Sequence, residues 1–267
     1  LNPSSAASDV YKRQMISLPD YNPNNRRELA NKSYLFNKNT KGLYELGSIF
    51  KTFVIANALE KKIVTRDKIY KNLPKEVKCG KFPIREYKYS LDKKNLTVND
   101  ILVESSNIGT IRIIQESGLD SYRKFLENLE IFNYSKIELP EVSASTKKRW
   151  GKCNTLTAGY GHGINTTPIQ LTRAFAAIIN GGYLFDVSLL KNKDPKFKSK
   201  IISKKNSKTM RKILRTNVDN NYARGGSGRK ADIKGYNVMG KTGTAEKPLK
   251  LSRGCLLYTS DAADDGL

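Results

Sequence analysis

The chain is poor in the residues that build metal sites and disulfide frameworks, since its 267 residues include only three cysteines and one histidine. Structural zinc sites use sets of four Cys, His or carboxylate ligands, so the sequence offers no recognisable zinc motif. It also contains no run of 18 apolar residues, the length that predicts a membrane-spanning helix. The chain is long enough to bury a hydrophobic core in one large or two modest domains.

The single histidine restricts the serine-enzyme alternatives. A Ser-His-Asp hydrolase needs a histidine base beside its serine, and only His162 is available. It lies in Tyr160-Gly161-His162-Gly163, and the flanking glycines are typical of a structural loop. A serine enzyme of this composition would therefore use lysine as its base.

Both ends of the chain read as translated sequencing-library adaptors. Residues 4–14 can be encoded by a DNA string whose reverse complement, in a shifted frame, encodes residues 255–264. We therefore interpret 1–14 and 255–267 as adaptor-derived scars, and we expect 15–254 to be an internal fragment holding a partial domain. The native cysteines are then Cys79 and Cys153, which leave the redox compartment open, and Cys153 is expected to be a small buried residue.

Positive charge dominates the composition. The chain has 48 Lys and Arg against 25 Asp and Glu, a formal net charge of +23. The basic residues are mostly lysines scattered among Asn and Ile, three residue types with AT-rich codons. No helix-turn-helix, zinc-finger or aromatic RNA-binding pattern accompanies them, so we do not expect a nucleic-acid partner. Attraction to anionic lipid or to an acidic wall polymer stays open.

Helical patterns dominate the sequence, with strands expected near its two ends, which predicts a mixed α/β arrangement. The spacing of apolar residues from Ser48 to Leu59 predicts a helix with one buried face. Further helices are predicted from Thr97 to Ser105, over 108–115 and 122–129, from the Thr167 cap to Asn180, and over 203–218. Strands are predicted at 15–18 and at 236–243. Residues 70–96 read as irregular, since Gly80 and Pro83 interrupt a Lys-rich stretch.

A candidate nucleophile and base lie three residues apart in Ser48-Ile49-Phe50-Lys51. On a helix this spacing puts the hydroxyl and the amine on one face, and a helix N-terminus favours negative charge on the serine. A lysine can serve as the base only if burial or a neighbouring cation lowers its pKa. The Ser-x-x-Lys pattern alone is weak, because it recurs at Ser90, Ser145 and Ser227, in polar stretches where we interpret it as chance.

Two further motifs single out Ser48 and Lys51. Ser105-Ser106-Asn107 is the only Ser-x-Asn in the chain, and Lys241-Thr242-Gly243 is the only Lys-Thr-Gly. Their order, Ser-x-x-Lys, Ser-x-Asn, Lys-Thr-Gly, is that of penicillin-binding proteins and serine β-lactamases. Ser106, between the two candidate catalytic residues, is interpreted as a spacer.

The sequence resembles class B penicillin-binding proteins, which are peptidoglycan D,D-transpeptidases, and most closely the division-septum (FtsI) type. The likeness covers nearly all of 15–254. Besides the motifs, it is carried by the segments 17–24, 44–48, 159–164, 167–171, 226–231 and 240–247. It implies a transpeptidase fold shared with serine β-lactamases: an antiparallel sheet packed with helices and an all-helical subdomain, here with the C-terminal strands truncated. The elongation-specific type shares the core motifs and stays open.

The resemblance also implies roles for individual residues. Ser48 would attack the carbonyl between two terminal D-alanines of a stem peptide, with Lys51 as its base. Ser105 would relay a proton to the leaving amine, and Asn107 would hold the substrate amide. Lys241 would be catalytic, since its positive charge would face the substrate carboxylate and help to keep Lys51 neutral. Thr242, Gly243 and Thr244 would bind that carboxylate, and the N–H groups of Ser48 and Thr244 would form an oxyanion hole.

The expected partners and surroundings follow from the same resemblance. They are stem peptides, the lipid-linked wall precursor, β-lactam antibiotics, and divisome proteins including a glycosyltransferase. No cofactor is implied. The full-length protein would be anchored in the inner membrane, with its catalytic domain in the periplasm.

Two rival functions share these motifs. A serine β-lactamase also needs a base that activates water, but neither Glu138 nor Glu141 is followed by an Asn four residues later. A β-lactam sensor domain keeps the acylation chemistry and uses it as a signal; a polytopic membrane module upstream would identify it.

Overall fold

A computed structural model describes residues 15–18, 22, 24–25, 27, 35–86, 94–144, 150–190, 196–251 and 254–261 of the chain. Several sequence features lie outside those residues. They are the N-terminal adaptor segment, the last six residues of the C-terminal one, half of the segment 17–24, and the Ser-x-x-Lys copies at Ser90 and Ser145.

The described residues form helices connected by short strands. The helices are α1 (Phe50–Glu60), α2 (Val98–Val103), α3 (Asn107–Ser117), α4 (Leu119–Asn128), α5 (Lys152–Ala158), α6 (Pro168–Ile179) and α7 (Lys204–Val218). The strands pair in antiparallel twos: β1 (Ile69–Tyr70) with β4 (Leu96–Thr97), β2 (Glu76–Cys79) with β3 (Phe82–Arg85), β5 (Tyr183–Phe185) with β6 (Phe197–Lys200), and β7 (Thr244–Leu251) with β8 (Gly254–Asp261). Within the described residues no helix is both long enough and apolar enough to cross a bilayer.

Helix α1 is the centre of the hydrophobic core. The sequence predicts one buried face, but all ten residues from Phe50 to Leu59 are buried. The reason is that α2, α3, α4, α6 and α7 all pack against this helix, and a helix surrounded by others is apolar all round. The core thus fixes α1 rigidly, and with it the turn that precedes its first residue.

The predicted helix starts at two threonines are confirmed. Thr97 and Thr167 each accept a hydrogen bond from the third residue of the following helix, and the side chains of Asp100 and Gln170 bond back to the threonine amides. Such reciprocal caps satisfy amides that the helix itself leaves unpaired, and each threonine contributes about 1 kcal/mol. Pro168 occupies the first position of α6, as its missing N–H permits.

The strand predictions need three corrections. Residues 15–18 are not a strand; they are held by hydrogen bonds from Asn39 to the Ile16 carbonyl and from Lys38 to the Ser17 hydroxyl. The segment predicted as irregular contains the β2–β3 hairpin, with Pro83 inside a strand. Lys241-Thr242-Gly243 precedes strand β7, which begins at Thr244. Its partner β8 lies almost wholly in the C-terminal segment interpreted as an adaptor scar.

The expectation that Cys153 is a small buried residue is wrong, because it is only half-buried and its sulfur is bonded to another cysteine. Cys79, at the end of β2, forms a disulfide with Cys153, the second residue of α5, and the two Cα atoms are 5.6 Å apart. The sequence gives no sign of this pair, because 74 residues separate the cysteines and only the folded chain brings hairpin and helix together.

Glu60 joins the end of α1 to the start of α7. Its Oε2 atom accepts hydrogen bonds from the Ser203 amide at 2.8 Å and from the Asn206 side chain at 2.6 Å. Burial raises the pKa of the Glu60 carboxyl, but these hydrogen bonds and the nearby Lys200 outweigh it, so the pKa lies below its ordinary value. A lowered folded-state pKa stabilises the protein above the unfolded pKa, and this stability is lost as the pH falls through the folded pKa.

We therefore expect Glu60→Gln to flatten the acid limb of the stability profile. As the pH falls below the ordinary carboxyl pKa of about 4.3, the free energy of unfolding should decrease more steeply for the wild type than for the variant. Urea unfolding at a series of pH values measures it. Glu127→Gln, on the exposed face of α4, should keep the wild-type slope. Identical slopes for Glu60→Gln and wild type would contradict the assignment.

Candidate active site

Ser48 lies in the single turn that leads into α1. Residues Gly47–Ile49 form a 3-10 turn, and Ile49 and Phe50 continue with helical backbone angles into α1. Ser48 is half-buried, whereas Lys51, one turn later, is only 1% exposed. The predicted helical relation between the two residues is confirmed, and the core that surrounds α1 holds the lysine in place.

The structure brings Lys51 together with Ser105. The Lys51 side-chain amine donates hydrogen bonds to the Ser105 carbonyl and, at 3.0 Å, to the Ser105 hydroxyl. A buried amine is tolerated only where hydrogen bonds replace water, and Ser105 supplies two of them. The first two sequence motifs are thus joined at one nitrogen atom, which also provides a path for a proton between Lys51 and Ser105.

Ser105 occupies a backbone position that usually belongs to glycine. Its φ is +56°, in the left-handed region. Its amide donates to the Leu102 carbonyl, and the Ser106 amide donates to the Ile101 carbonyl, which is the Schellman arrangement that ends many helices at a glycine. A side chain in this region costs roughly 1–2 kcal/mol. The serine is therefore retained at the end of α2 against local backbone preference.

Glu86 fixes the rest of the Ser-x-Asn motif, a role that the sequence did not reveal. Its carboxylate accepts hydrogen bonds from the Ser106 hydroxyl at 2.5 Å, the Asn107 amide at 2.9 Å and the Ile108 amide at 3.0 Å. A carboxylate is favoured at a helix N-terminus such as that of α3. The Asn107 side chain donates to the Arg85 carbonyl at 3.0 Å, so the end of β3 orients the second and third residues of the motif.

Ser106 lies inside this arrangement rather than at the surface. It is fully buried and caps α3, accepting a hydrogen bond from the Gly109 amide at 2.8 Å. The expectation that it acts as a spacer fits a residue whose hydroxyl is engaged by the backbone and by Glu86.

Lys241 and Thr242 meet at Ser227. The Thr242 hydroxyl donates to the Ser227 hydroxyl at 2.7 Å, and the Lys241 ammonium contacts the same oxygen at 3.3 Å. Ser227 in turn donates to Asn217 on α7. In the sequence, Ser227 belongs to the segment 226–231 that carries the resemblance but is given no role beyond a chance copy of Ser-x-x-Lys; the structure places its hydroxyl beside Lys241 and Thr242. The hydroxyls of Ser227 and Thr242 and the Lys241 ammonium form a cluster suited to an anionic group.

The loop that carries Ser227 is tied to α2. Tyr222 donates to Asp100 at 2.5 Å, and Arg224 donates to Glu104 at 2.5 Å. Burial, with this hydrogen bond to Asp100, raises the pKa of the Tyr222 hydroxyl, so the tyrosine stays a neutral donor. Ser105 directly follows the C-terminal end of α2. These contacts therefore fix the position of the Ser227 loop relative to Ser105.

Three backbone segments cross at Gly47. A side chain at Gly47 would overlap the Thr244 carbonyl, and one at Gly161 would overlap the backbone of Gly47. Both glycines have positive φ, +55° and +83°. The crossing brings the backbone of Thr244 against the turn that carries Ser48, as an oxyanion hole built from their two N–H groups requires. Gly243, in turn, packs against the Leu46 carbonyl and the Ile49 side chain.

His162 lies beside Glu45. Its Nδ1 atom is 3.6 Å from Glu45 Oε2, and its side chain is 54% exposed. The neighbouring Gly163 amide donates to the same carboxylate at 3.2 Å. The loop over 160–163 thus packs against the turn of Ser48 through Gly161, as the structural interpretation of this histidine predicts.

A family model described as "Penicillin binding protein transpeptidase domain" matches residues 13–254. A probable peptidoglycan D,D-transpeptidase FtsI of Caulobacter vibrioides is 32% identical over 237 residues, covering 87% of this chain and 39% of that protein. The peptidoglycan D,D-transpeptidase FtsI of Buchnera aphidicola is 36% identical over 243 residues, covering 87% and 41%.

The solved structures agree with the sequence matches. The apo TP domain of penicillin-binding protein 3 from Burkholderia pseudomallei superposes with a TM-score of 0.73 at 26% identity, covering 83% of this chain and 66% of that one. The chain spans about two fifths of the length of the two curated relatives.

The crossing at Gly47 predicts that Gly161→Ala destabilises the protein strongly. The new methyl group overlaps backbone atoms, which costs about 1–3 kcal/mol, and a side chain at positive φ adds roughly 1–2 kcal/mol. Denaturant unfolding measures the sum. Gly151→Ala is the control, because its added methyl group meets open space and its φ is −72°; a loss as large as that of Gly161→Ala would contradict the crossing.

Paired substitutions at Ser105 separate its backbone from its hydroxyl. Ser105→Gly and Ser105→Ala both remove the hydroxyl that Lys51 contacts, so both should lose acylation of Ser48 by a β-lactam, by roughly 100-fold. Only glycine relieves the positive φ, so Ser105→Gly should be more stable than Ser105→Ala by about 1 kcal/mol. Equal stabilities would remove the backbone argument, and full acylation in either variant would remove the catalytic one.

Proposed function

The chain belongs to the penicillin-binding protein transpeptidase family and has its mixed helix-and-sheet fold, and from that premise we propose that it is the catalytic part of a septal peptidoglycan D,D-transpeptidase. The observation that carries the proposal concerns buried Lys51, which lies one turn after Ser48. Its side chain donates a pair of hydrogen bonds to Ser105. A buried lysine that is hydrogen-bonded to one serine and lies one helical turn after another, with Thr244 against the turn of the latter, suits acyl transfer through an acyl-enzyme.

In the first half-reaction Ser48 Oγ attacks the carbonyl between the terminal D-alanines, and Lys51 takes its proton. The Ser48 and Thr244 amides stabilise the oxyanion, a contribution of several kcal/mol. Ser105, in hydrogen-bond contact with Lys51, passes the proton to the leaving amine. D-Alanine departs, and Ser48 retains the acyl group as an ester.

In the second half-reaction the amine of another stem peptide attacks that ester. Its proton returns to Ser48 Oγ by the same path in reverse, and a cross-link is formed. The cluster of Lys241, Thr242 and Ser227 binds the terminal carboxylate of the donor strand, aided by Gly243 and Thr244. Asn107, oriented through Arg85, holds a substrate amide. β-Lactams mimic the D-alanyl-D-alanine end and acylate the same serine.

The relatives support the septal role over the elongation role, because both curated transpeptidases compared here carry the FtsI name. We propose the lipid-linked precursor and a divisome glycosyltransferase as partners of the whole protein. We also propose a periplasmic catalytic domain that is anchored in the inner membrane by sequence outside 15–254. A disulfide suits such an oxidising compartment.

We further propose that 15–254 is the transpeptidase portion and that 1–14 and 255–267 are adaptor-derived. The family match over 13–254 supports this division.

For the β-lactamase alternative, Glu138 is a poor water-activating base, since its carboxylate accepts hydrogen bonds from the Ser188 hydroxyl at 2.8 Å and the Leu189 amide at 2.9 Å.

The proposal predicts a single penicilloyl adduct on Ser48 in the gene product that contains residues 15–254. Intact-mass and peptide spectrometry after treatment with benzylpenicillin should locate it, and Ser48→Ala should abolish it. Ser90→Ala, which removes the serine of another Ser-x-x-Lys, should label like the wild type. Labelling at another residue would overturn the assignment of the nucleophile.

The lifetime of that adduct separates a transpeptidase from a β-lactamase. Without a base for water, the ester should persist for hours, followed as the return of free Ser48 after excess drug is removed. Turnover within seconds would favour the β-lactamase.

A further inference from the structure

The Cys79–Cys153 disulfide connects the far end of the β2–β3 hairpin to α5. Cys79 is the last residue of β2, next to the hairpin turn, and Cys153 lies in the first turn of α5. The 74-residue separation of the cysteines spans α2, α3 and α4. The covalent loop therefore contains the whole Ser-x-Asn motif.

The near end of the same hairpin positions that motif. Strand β3 ends at Arg85, whose carbonyl holds the Asn107 side chain, and Glu86 follows with its three hydrogen bonds to residues 106–108. A displacement of the hairpin moves these groups directly, because a single peptide bond joins β3 to Glu86.

The hairpin has few other attachments. Each strand has only four residues, and a two-stranded hairpin of this size is marginal by itself in water. Among the hairpin side chains that the structure describes, only Cys79 and Ile84 are buried, and the Arg85–Glu76 ion pair lies on the exposed face, where such pairs contribute little. The disulfide is thus one of three described contacts of the hairpin with the protein interior, beside buried Ile84 and partly buried Val77.

The partner of Cys79 is itself held firmly. Arg123 on α4 donates to the Trp150 carbonyl at 2.6 Å, just before α5, and to the Thr155 hydroxyl at 3.0 Å within it. At the other end of α5, the buried Tyr122 donates to the Ala158 carbonyl at 3.3 Å. The disulfide therefore ties a weakly attached hairpin to a helix fixed on both sides.

We propose that Cys79 and Cys153 are positioning residues for the Ser-x-Asn motif, which makes acylation of Ser48 depend on the oxidation state of the disulfide. The proposal rests on the proposed transpeptidase function and names a means of its regulation. With the bond intact, the hairpin holds Glu86 on the N-terminus of α3. With the bond reduced, Glu86 shifts and Asn107 loses its fixed orientation, while the core around α1 stays folded.

The redox step needs an external dithiol. Two electrons and two protons pass from the dithiol to the Cys79–Cys153 bond, through a mixed disulfide. The two cysteines become thiols and the dithiol becomes its own disulfide. Reoxidation by a disulfide donor reverses the exchange.

The test uses the full-length gene product, oxidised or reduced with dithiothreitol. Stopped-flow labelling with a fluorescent penicillin separates the drug dissociation constant from the acylation rate constant. Reduction should lower the acylation rate constant roughly tenfold or more, as misplacement of catalytic groups does, and should leave the dissociation constant within about twofold. The double variant Cys79→Ser/Cys153→Ser should acylate at the rate of the dithiothreitol-treated wild type, whether or not dithiothreitol is present. An unchanged rate in reduced wild type would overturn the proposal.

Glu86→Gln tests whether the effect passes through the hairpin. In the oxidised protein it should slow acylation as reduction does, and dithiothreitol should then add little, because the two changes act through one contact. A further full drop on reduction of this variant would refute that route. Glu76→Gln is the matched control on the same hairpin, and it should keep both the wild-type rate and its redox response.

Hydrogen exchange gives a readout that does not require acylation. On reduction, the amides of Asn107 and Ile108, which donate to Glu86, should exchange faster, while those of α1 keep their protection. Loss of protection throughout α1 would mean global unfolding and would overturn a local device. If reduction speeds the exchange of these amides but the oxidised protein is never acylated, the transpeptidase assignment fails, while the positioning role of the disulfide is supported.

Discussion

The buried side-chain amine of Lys51 is the constraint on which the rest of the site depends. Its helix is enclosed by five others, so the amine cannot reach bulk water, and its hydrogen bonds must come from the protein around it. Ser105 provides two of them. The end of α2 has to turn back toward α1 for this purpose, which is why a serine occupies a left-handed position there. Glu86, Tyr222 and Arg224 then hold the segments on either side of that turn.

The sequence predicted those parts of the molecule that local chemistry determines. The caps at Thr97 and Thr167 lie where a threonine precedes a polar residue by three positions, and the helix after Ser48 follows its apolar spacing. The order of the three motifs identified Lys51, Ser105 and Lys241 as one group. Each of these inferences needs only residues that are close in the chain, or a pattern of residue types in a fixed order.

What the sequence could not predict depends on contacts between distant segments. Glu86 looks like any acid in a Lys-rich stretch, and only folding brings it to the start of α3. Ser227 lies in a segment that resembles the family, but its pattern gives it no role, and only folding brings its loop beside Lys241. The β2–β3 hairpin was hidden because Gly80 and Pro83 suggested breaks, although the glycine serves its turn and Pro83 lies at an edge, where a missing N–H is tolerated. The pairing of Cys79 with Cys153 had no local signal.

The crossing at Gly47 has a consequence for how this domain can exchange parts with its relatives. Gly47, Gly161 and Thr244 come from three segments more than 80 residues apart, and they meet through backbone atoms. A contact made of backbone is indifferent to the side chains that surround it. A gene in which one segment is replaced by its counterpart from a diverged relative therefore keeps the platform under the nucleophile, provided that the two glycines are retained. Recombination within this part of the chain can therefore change the side chains around the site without changing the backbone contact beneath Ser48.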